Sequence, residues 1–316
     1  MISTLSHAPE TPFVPQPAKV MIQALIPVSP WAIRARDPSM PVDLQEQILE
    51  MQYREVTLKD AAMSGNAAYN DLTKSWTINT KRSEPSFKGL VFEATIARMC
   101  REEPFTVGKN TFAWCTNRRT TQVTQEMIIE YVPFITADRS LLGTKLTASF
   151  YNPSSPYDLH FYRVNAKGSA ELATQNGTGV IAGLQVKAIQ GSERQEIIDP
   201  LISGRYFHVL TMLEHPSGEH SYEVCKRILL GMVDKGEITY FDYTDVSRRI
   251  TYPQALGIQQ SHVNDYSEYI SVVFRNGGLA TQDMSAAVAL EVTGDYAMSS
   301  GGILVPDNQL VLPTVH

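Results

Sequence analysis

The sequence predicts an α/β fold in which helices flank a mixed β-sheet, with an extended N-terminal arm and a β-rich C-terminal region. The start of the chain is rich in proline. Its middle combines apolar strand-like segments with segments of helical periodicity, and its end consists of short apolar segments separated by turns. We therefore predict a proline-rich arm with a helical segment over 1–80, an α/β core over 81–245 and the β-rich region over 246–316.

The N-terminal arm is predicted from its proline content, because proline at this density interrupts both helices and sheet interiors. An apolar stretch at 20–26 is compatible with one strand inside the arm, and helical periodicity begins near Val42. We expect the arm to lie over the domain or over a partner subunit. The prolines are Pro9, Pro12, Pro15, Pro17, Pro27, Pro30, Pro38 and Pro41.

The first clear element of the core is a helix over Phe87–Cys100. Leu90, Glu93 and Ala97 share one face of it, at positions i, i+3 and i+7. Glu93 therefore lies within or at the border of an apolar stripe. A buried carboxylate there needs a partner, whereas one at the edge of the stripe simply reaches water.

The segments between this helix and residue 190 read mainly as strands. Short strands are predicted at Thr111–Cys115, at 157–164 and at about 179–189, and the alternation over 144–151 is also strand-like. The segment 125–132 is compatible with either a helix or a strand. These elements supply most of the predicted sheet.

A short helix is predicted after Ser192, which with Gln195 forms a capping-box pattern, and Pro200 should end it near Asp199. The stretch Arg205–Leu213 is strongly β-prone and is predicted to be a buried strand.

The remaining predictions are a helix over Ser221–Val233, a strand over Glu237–Tyr243 and a strand over Tyr269–Phe274 before a hairpin turn at 276–278. His215 and His220 flank a turn, and we expect a loop that satisfies its own polar groups rather than a metal site.

Composition narrows the class of protein. The 316 residues are 43% hydrophobic, which predicts a folded core, and the chain lacks an apolar run of the length that spans a membrane. The start of the sequence has no pattern typical of a secretory signal, and the three cysteines lack paired spacing. We therefore expect free thiols and a cytoplasmic location. The net charge of -6 argues against nonspecific coating of nucleic acid.

Polar side chains interrupt two of the predicted strands and carry the functional prediction. Asp158 lies on one strand, and Gln185 and Lys187 lie on the same face of the next, since side chains alternate along a strand. Mg²⁺ or Mn²⁺ prefers oxygen ligands, which Asp158, the Gln185 amide and the Val186 carbonyl would supply. Lys187 would orient a water or offset negative charge on a phosphate, as in metal-assisted phosphodiester hydrolysis.

These residues resemble the PD-(D/E)xK nuclease superfamily, the fold of many restriction endonucleases, over about residues 85–245. The resemblance implies a core of helix, three strands, helix and strand. It implies catalytic roles for Asp158, Gln185, Lys187 and Glu93, with Asp158, Gln185 and Glu93 at the metal. The chain departs from the family where Gln185 replaces the second acid, a variant that resembles Mrr-type enzymes.

The resemblance implies a Mg²⁺-dependent DNA endonuclease of restriction or phage-defence type that acts as a homo-oligomer, usually a dimer. Two alternatives stay open. The proline-rich arm and acidic balance also fit a structural or assembly protein of a virion or scaffold. The neutral Gln185 also fits a catalytically inactive nucleic-acid-binding module with the same fold.

Overall fold

The computed structural model describes residues 56–70, 75–275, 281–282, 296–298 and 304–306. Within these ranges the protein is α/β, and helices flank a mixed six-stranded sheet, which confirms the predicted class. The predicted arm, with its strand at 20–26 and the periodicity from Val42 to Met51, lies outside the described residues. The predicted turn at 276–278 lies outside them as well.

A helix and a hairpin precede the main sheet. Helix α1 spans 56–63, and strands β1 (Ala67–Asn70) and β2 (Ser75–Ile78) pair antiparallel after it. Helix α2 (Glu84–Glu102) follows and begins with Pro85 in its first turn, where a missing N–H costs nothing. Its buried face includes Phe87, Val91 and Ile96, so α2 is the central helix of the core.

The main sheet is antiparallel on one side and parallel on the other. Its order is β3-β4-β6-β7-β8, with β5 also paired to β4. β4 pairs antiparallel with β3, β5 and β6, whereas β6–β7 and β7–β8 are parallel. The strands are β3 (Val132–Ile135), β4 (Leu159–Val164), β5 (Ala170–Leu172), β6 (Gly183–Lys187), β7 (Val209–Thr211) and β8 (Ile250–Thr251).

Helices cover both faces of this sheet. Neighbouring residues of β7 show this, because Val209 belongs to one buried apolar cluster and Leu210 to another, and adjacent strand side chains point to opposite faces. The helices after α2 are α3 (Lys109–Cys115), α4 (Gln125–Glu130), α5 (Asp199–Ile202), α6 (Ser221–Asp234), α7 (Tyr240–Arg248) and α8 (Gln260–Arg275).

Helices α1 and α8 pack against α2 and belong to the same core. Asp60 of α1 is fully buried and accepts hydrogen bonds of 2.9 Å from Arg98 Nε and from the Tyr266 hydroxyl. On the apolar side, the rings of Phe87 and Phe274 lie 5.3 Å apart. Packing therefore continues across residues 80/81 and 245/246, where domain boundaries were predicted.

Four of the predicted strands are not strands, one of them being Tyr269–Phe274 in the C-terminal region. Thr111–Cys115 lies in α3, and 144–151 consists of turns, including the 3₁₀ turn at Ala148–Phe150. Glu237–Tyr243 leads into α7, because Thr239 and Asp242 form a reciprocal capping box that starts a helix there. The ambiguous segment 125–132 divides into α4 and the start of β3.

The β-rich C-terminal region is wrong for residues 246–275. Tyr269–Phe274, predicted as a strand, belongs to the 16-residue helix α8. Its β-prone residues are placed at helical spacing, with Val263, Tyr266, Ile270 and Val273 buried, so packing overrides local preference. Beyond α8 the described strands are short: β9 (Thr281–Gln282), β10 (Tyr296–Met298) and β11 (Leu304–Pro306).

The helix after β6 begins at Glu193 and continues through Pro200 to Ile202, so the predicted end at Asp199 is wrong. Residues 194–198 form a π-helical turn, in which the usual hydrogen-bond ladder is already interrupted, and a proline is tolerated after it. The predicted Ser192–Gln195 capping box has no hydrogen bond; instead the Glu193 carboxylate accepts the Gly191 N–H at 3.2 Å.

Candidate functional site

The sheet register places Asp158 directly across from Gln185. β4 and β6 pair Leu159 with Leu184 in antiparallel register, so the preceding residue on β4 faces the following residue on β6. The Asp158 N–H donates to the Leu184 carbonyl at 2.9 Å, and the Asp158 carbonyl accepts from Thr136 N–H at 2.9 Å. The main chain of Asp158 is therefore fixed by strands on both sides.

The Asp158 carboxylate accepts hydrogen bonds from the neighbouring strand β6. Its Oδ2 accepts from Gln185 Nε2 at 2.6 Å and from the main-chain N–H of Val186 at 2.7 Å. Donation through Nε2 leaves the Gln185 Oε1 oxygen for another interaction. The two predicted residues therefore meet, and Asp158 keeps its second carboxylate oxygen for a further ligand.

The Val186 carbonyl is directed to the same side as Asp158. Gln185 N–H donates to His208 O at 2.9 Å, and Met212 N–H donates to Lys187 O at 2.9 Å, so both flanking peptides of β6 bond toward β7. Because backbone groups alternate between the two edges of a strand, Val186 bonds toward β4. β4 begins at Leu159, so the Val186 carbonyl lies beside the Asp158 carboxylate rather than within the ladder.

Lys187 projects from the same face of β6 as Gln185. Its Nζ lies 3.2 Å from Glu196 Oε2 and 5.2 Å from the centroid of the Tyr206 ring. Glu196 is half exposed, whereas only 6% of Tyr206 is accessible, so the ammonium contacts both a solvent-exposed anion and a buried ring.

Glu93 reaches the same site from the central helix. Helix α2 packs against β6, and Glu93 as a whole residue is half-buried. Burial raises its pKa well above the ordinary value, and the charge of Asp158 raises it further. The nearby cations Arg82 and Lys187 act in the opposite direction. Glu93, Asp158 and Lys187 therefore lie within electrostatic reach of one another, and Gln185 is bonded to Asp158.

The ionised form of Asp158 is also disfavoured at this site. Its surroundings, above all its burial, raise the pKa to about 7, although the Val186 N–H, Lys187 and Gln185 each favour the ionised form. The raised pKa values mean that ionisation of both carboxyls is less favourable here than in water, and that a positive charge between them would favour it.

The donor set fits a hard cation such as Mg²⁺. It comprises the carboxyls of Asp158 and Glu93, the Gln185 amide oxygen and the Val186 carbonyl, all of them oxygens. The described part of the chain has no group of three or more His, Cys, Asp or Glu residues arranged around a metal position. Two carboxylates suffice for Mg²⁺, which usually keeps several waters.

Three residues of the site were not predicted from the sequence. Arg82 lies exposed just before α2 and places its Nη1 3.5 Å from Ser86 Oγ. Glu196 falls within the predicted helix after Ser192 and Tyr206 within the predicted strand Arg205–Leu213, and neither is predicted as a site residue. The sequence could have indicated Glu196, because this residue lies one turn into the helix that follows the strand of Lys187. Nothing in the sequence indicated Tyr206.

The histidine loop satisfies only part of its own polar groups. His215 N–H donates to Glu219 O at 2.8 Å, and the His220 Nδ1 accepts the Tyr222 N–H at 3.0 Å at the start of α6. His215 Nε2, however, bonds to Glu193 outside the loop, and the buried His220 Nε2 has no hydrogen-bond partner within it. The three cysteines, Cys100, Cys115 and Cys225, are buried free thiols, and burial raises the pKa of each.

Comparison with protein-family models, curated proteins and solved structures finds no match to this chain. None of the helices in the described ranges is both long and apolar enough to cross a bilayer. The functional argument therefore depends on the site itself.

Proposed function

We propose that this protein is a Mg²⁺- or Mn²⁺-dependent endonuclease that hydrolyses DNA phosphodiester bonds, of restriction or phage-defence type. The observation that carries the proposal is the 2.6 Å hydrogen bond from Gln185 to Asp158, with Lys187 on the same strand face and with Glu93 close enough for the charge of Asp158 to raise its pKa. Such a site favours a divalent cation, and the adjacent cations Lys187 and Arg82 favour an anionic substrate.

The order of elements supports a restriction-endonuclease-like core. The chain runs from α2 through the short helices α3 and α4 to β3, β4 and β6, then to the helix that begins at Glu193, and then to β7. This order is compatible with the helix, three strands, helix and strand that the resemblance implies, with α3, α4 and the small strand β5 as additions. Asp158 and Gln185–Lys187 lie on the second and third of these strands.

Each residue has a defined role in this proposal. Asp158, Glu93, Gln185 and the Val186 carbonyl would hold the cation. When bound, Mg²⁺ neutralises charge on a phosphoryl oxygen and lowers the pKa of a water. Lys187 orients the attacking water and offsets the negative charge that develops as the phosphorus–oxygen bond breaks.

Gln185 favours a second candidate, a nucleic-acid-binding module without cleavage activity. Its amide is neutral, 9% exposed and already bonded to Asp158 at 2.6 Å. Fewer negative ligands lower the affinity for a divalent cation unless Glu93 compensates. DNA binding that needs Arg82 and Lys187, without cleavage in Mg²⁺ or Mn²⁺, would identify this candidate.

Cleavage of supercoiled plasmid and of phage DNA with Mg²⁺ or Mn²⁺ tests the proposal. Wild-type protein should cut, while Asp158→Asn and Lys187→Ala should lose activity by about a hundredfold or more. The control is Lys226→Ala, because Lys226 lies 3.3 Å from Glu223 and 5.0 Å from the Tyr222 ring, in surroundings that match those of Lys187. Equal loss of cleavage activity in both lysine variants, or no cleavage by the wild type, would refute the proposed nuclease activity.

DNA as substrate, a homodimeric state and a cytoplasmic location belong to the same proposal. A wild-type protein that neither cuts nor binds DNA would favour the structural or assembly alternative. Light scattering at several concentrations, with and without a DNA duplex, would measure the number of subunits that bind together.

A further inference from the structure

Two residues outside the carboxylate set determine the position of Lys187. We propose that Tyr206 is a positioning residue that fixes the Lys187 ammonium for catalysis, and that Glu196 is a resting counter-ion that the substrate phosphate displaces. The inference rests on the proposed phosphodiester hydrolysis and assigns roles to residues that the resemblance does not cover.

Tyr206 is built to hold an ammonium in place. Its ring is buried in the cluster that includes Ile197, Leu201 and Cys225, and its N–H donates to Pro200 O at 3.4 Å. The Lys187 Nζ lies 5.2 Å from its centroid, within the range of cation–π attraction. A rigid ring limits the positions of a long, flexible side chain, and catalysis depends on such limits.

Glu196 differs from Tyr206 in exposure. Its side chain is 51% exposed while that of Lys187 is 15% exposed, so water competes for the carboxylate in the 3.2 Å ion pair. Exposed ion pairs contribute little to stability and exchange readily. A phosphodiester presents the same type of anionic oxygen to Lys187, so binding of the substrate replaces one anion with another.

The arrangement predicts that the two residues affect different kinetic constants. Loss of the Tyr206 ring should lower kcat about three- to thirtyfold with KM unchanged, since the ring acts on the lysine rather than on DNA. Loss of the Glu196 charge should lower KM about two- to fivefold with kcat retained, because a competing anion and its repulsion of DNA are removed.

Steady-state cleavage by the full chain tests this with Tyr206→Leu, Tyr206→Phe and Glu196→Gln. The Phe variant keeps the ring and should restore kcat, whereas a purely structural role for the hydroxyl would leave Phe as impaired as Leu. Matched controls are Tyr222→Leu and Glu223→Gln around Lys226, which should change neither constant. Thermal unfolding of each variant separates loss of folding from loss of activity.

Equal kinetics for Tyr206→Leu and Tyr222→Leu, in a wild type that cuts DNA, would overturn the role of Tyr206 and leave the proposed function standing. A raised KM for Glu196→Gln would overturn the counter-ion role in the same way. Absence of cleavage by the wild type would overturn the proposed function and this inference together.

Discussion

Replacement of Asp158 by asparagine should stabilise the protein while it abolishes activity. Asparagine has nearly the same shape, and its oxygen can accept the hydrogen bonds that Gln185 Nε2 and Val186 N–H now donate at 2.6 and 2.7 Å. The substitution removes only a charge that the folded site disfavours, together with its repulsion of Glu93.

The size and pH dependence of the effect follow from the pKa of Asp158. Folding raises that pKa from 3.8 to about 7, so the folded protein binds the proton more tightly than the unfolded chain. The contribution of Asp158 to stability is then fully present below pH 3.8 and is lost as the pH rises through 7. A shift of this size corresponds to about 4 kcal/mol, which partial solvent exposure reduces to about 2 kcal/mol.

Urea unfolding at about pH 5 and about pH 8 measures this difference. The gain for Asp158→Asn should be about 2 kcal/mol at the higher pH and less than half of that at the lower pH. Asp265→Asn is the control, because burial also raises the pKa of Asp265, which lies outside the site on α8. An asparagine variant that is less stable than wild type at both pH values would refute the electrostatic argument.

Three further predictions follow from the same contacts. Mg²⁺ binding by calorimetry should weaken as the pH falls below about 7, by up to about tenfold per pH unit, because Asp158 must lose its proton; affinity unchanged between pH 6 and 8 would contradict this. Arg82→Ala should weaken DNA binding in Ca²⁺ about three- to tenfold and lower its salt dependence, whereas Lys81→Ala, an exposed neighbour with the same charge change, should have a smaller effect. Asp60→Ala should cost about 3–5 kcal/mol of unfolding free energy, because it takes the buried carboxylate from Arg98; a loss below about 1 kcal/mol would show that the pair is not structural.

The candidate site was predictable to the extent that strand periodicity and residue chemistry determine it. Gln185 and Lys187 share a face because side chains alternate along any strand, and Asp158 precedes a β-prone stretch that was correctly predicted to be a strand. Their chemical types already indicated oxygen ligands beside a cation. The sequence could not give the register, and a shift of one residue between β4 and β6 would have separated Asp158 from Gln185.

Tertiary packing decided the parts of the fold for which local preference was misleading. Tyr269–Phe274 is β-prone, yet it is helical because Val263, Tyr266, Ile270 and Val273 must pack against α2 and the core. The raised pKa values likewise belong to the folded protein, since α2 brings Glu93 to Asp158 across 65 positions of sequence. The sequence alone therefore determined which chemical groups are present and their spacing along each element, whereas burial and long-range register determined which groups meet and how they ionise.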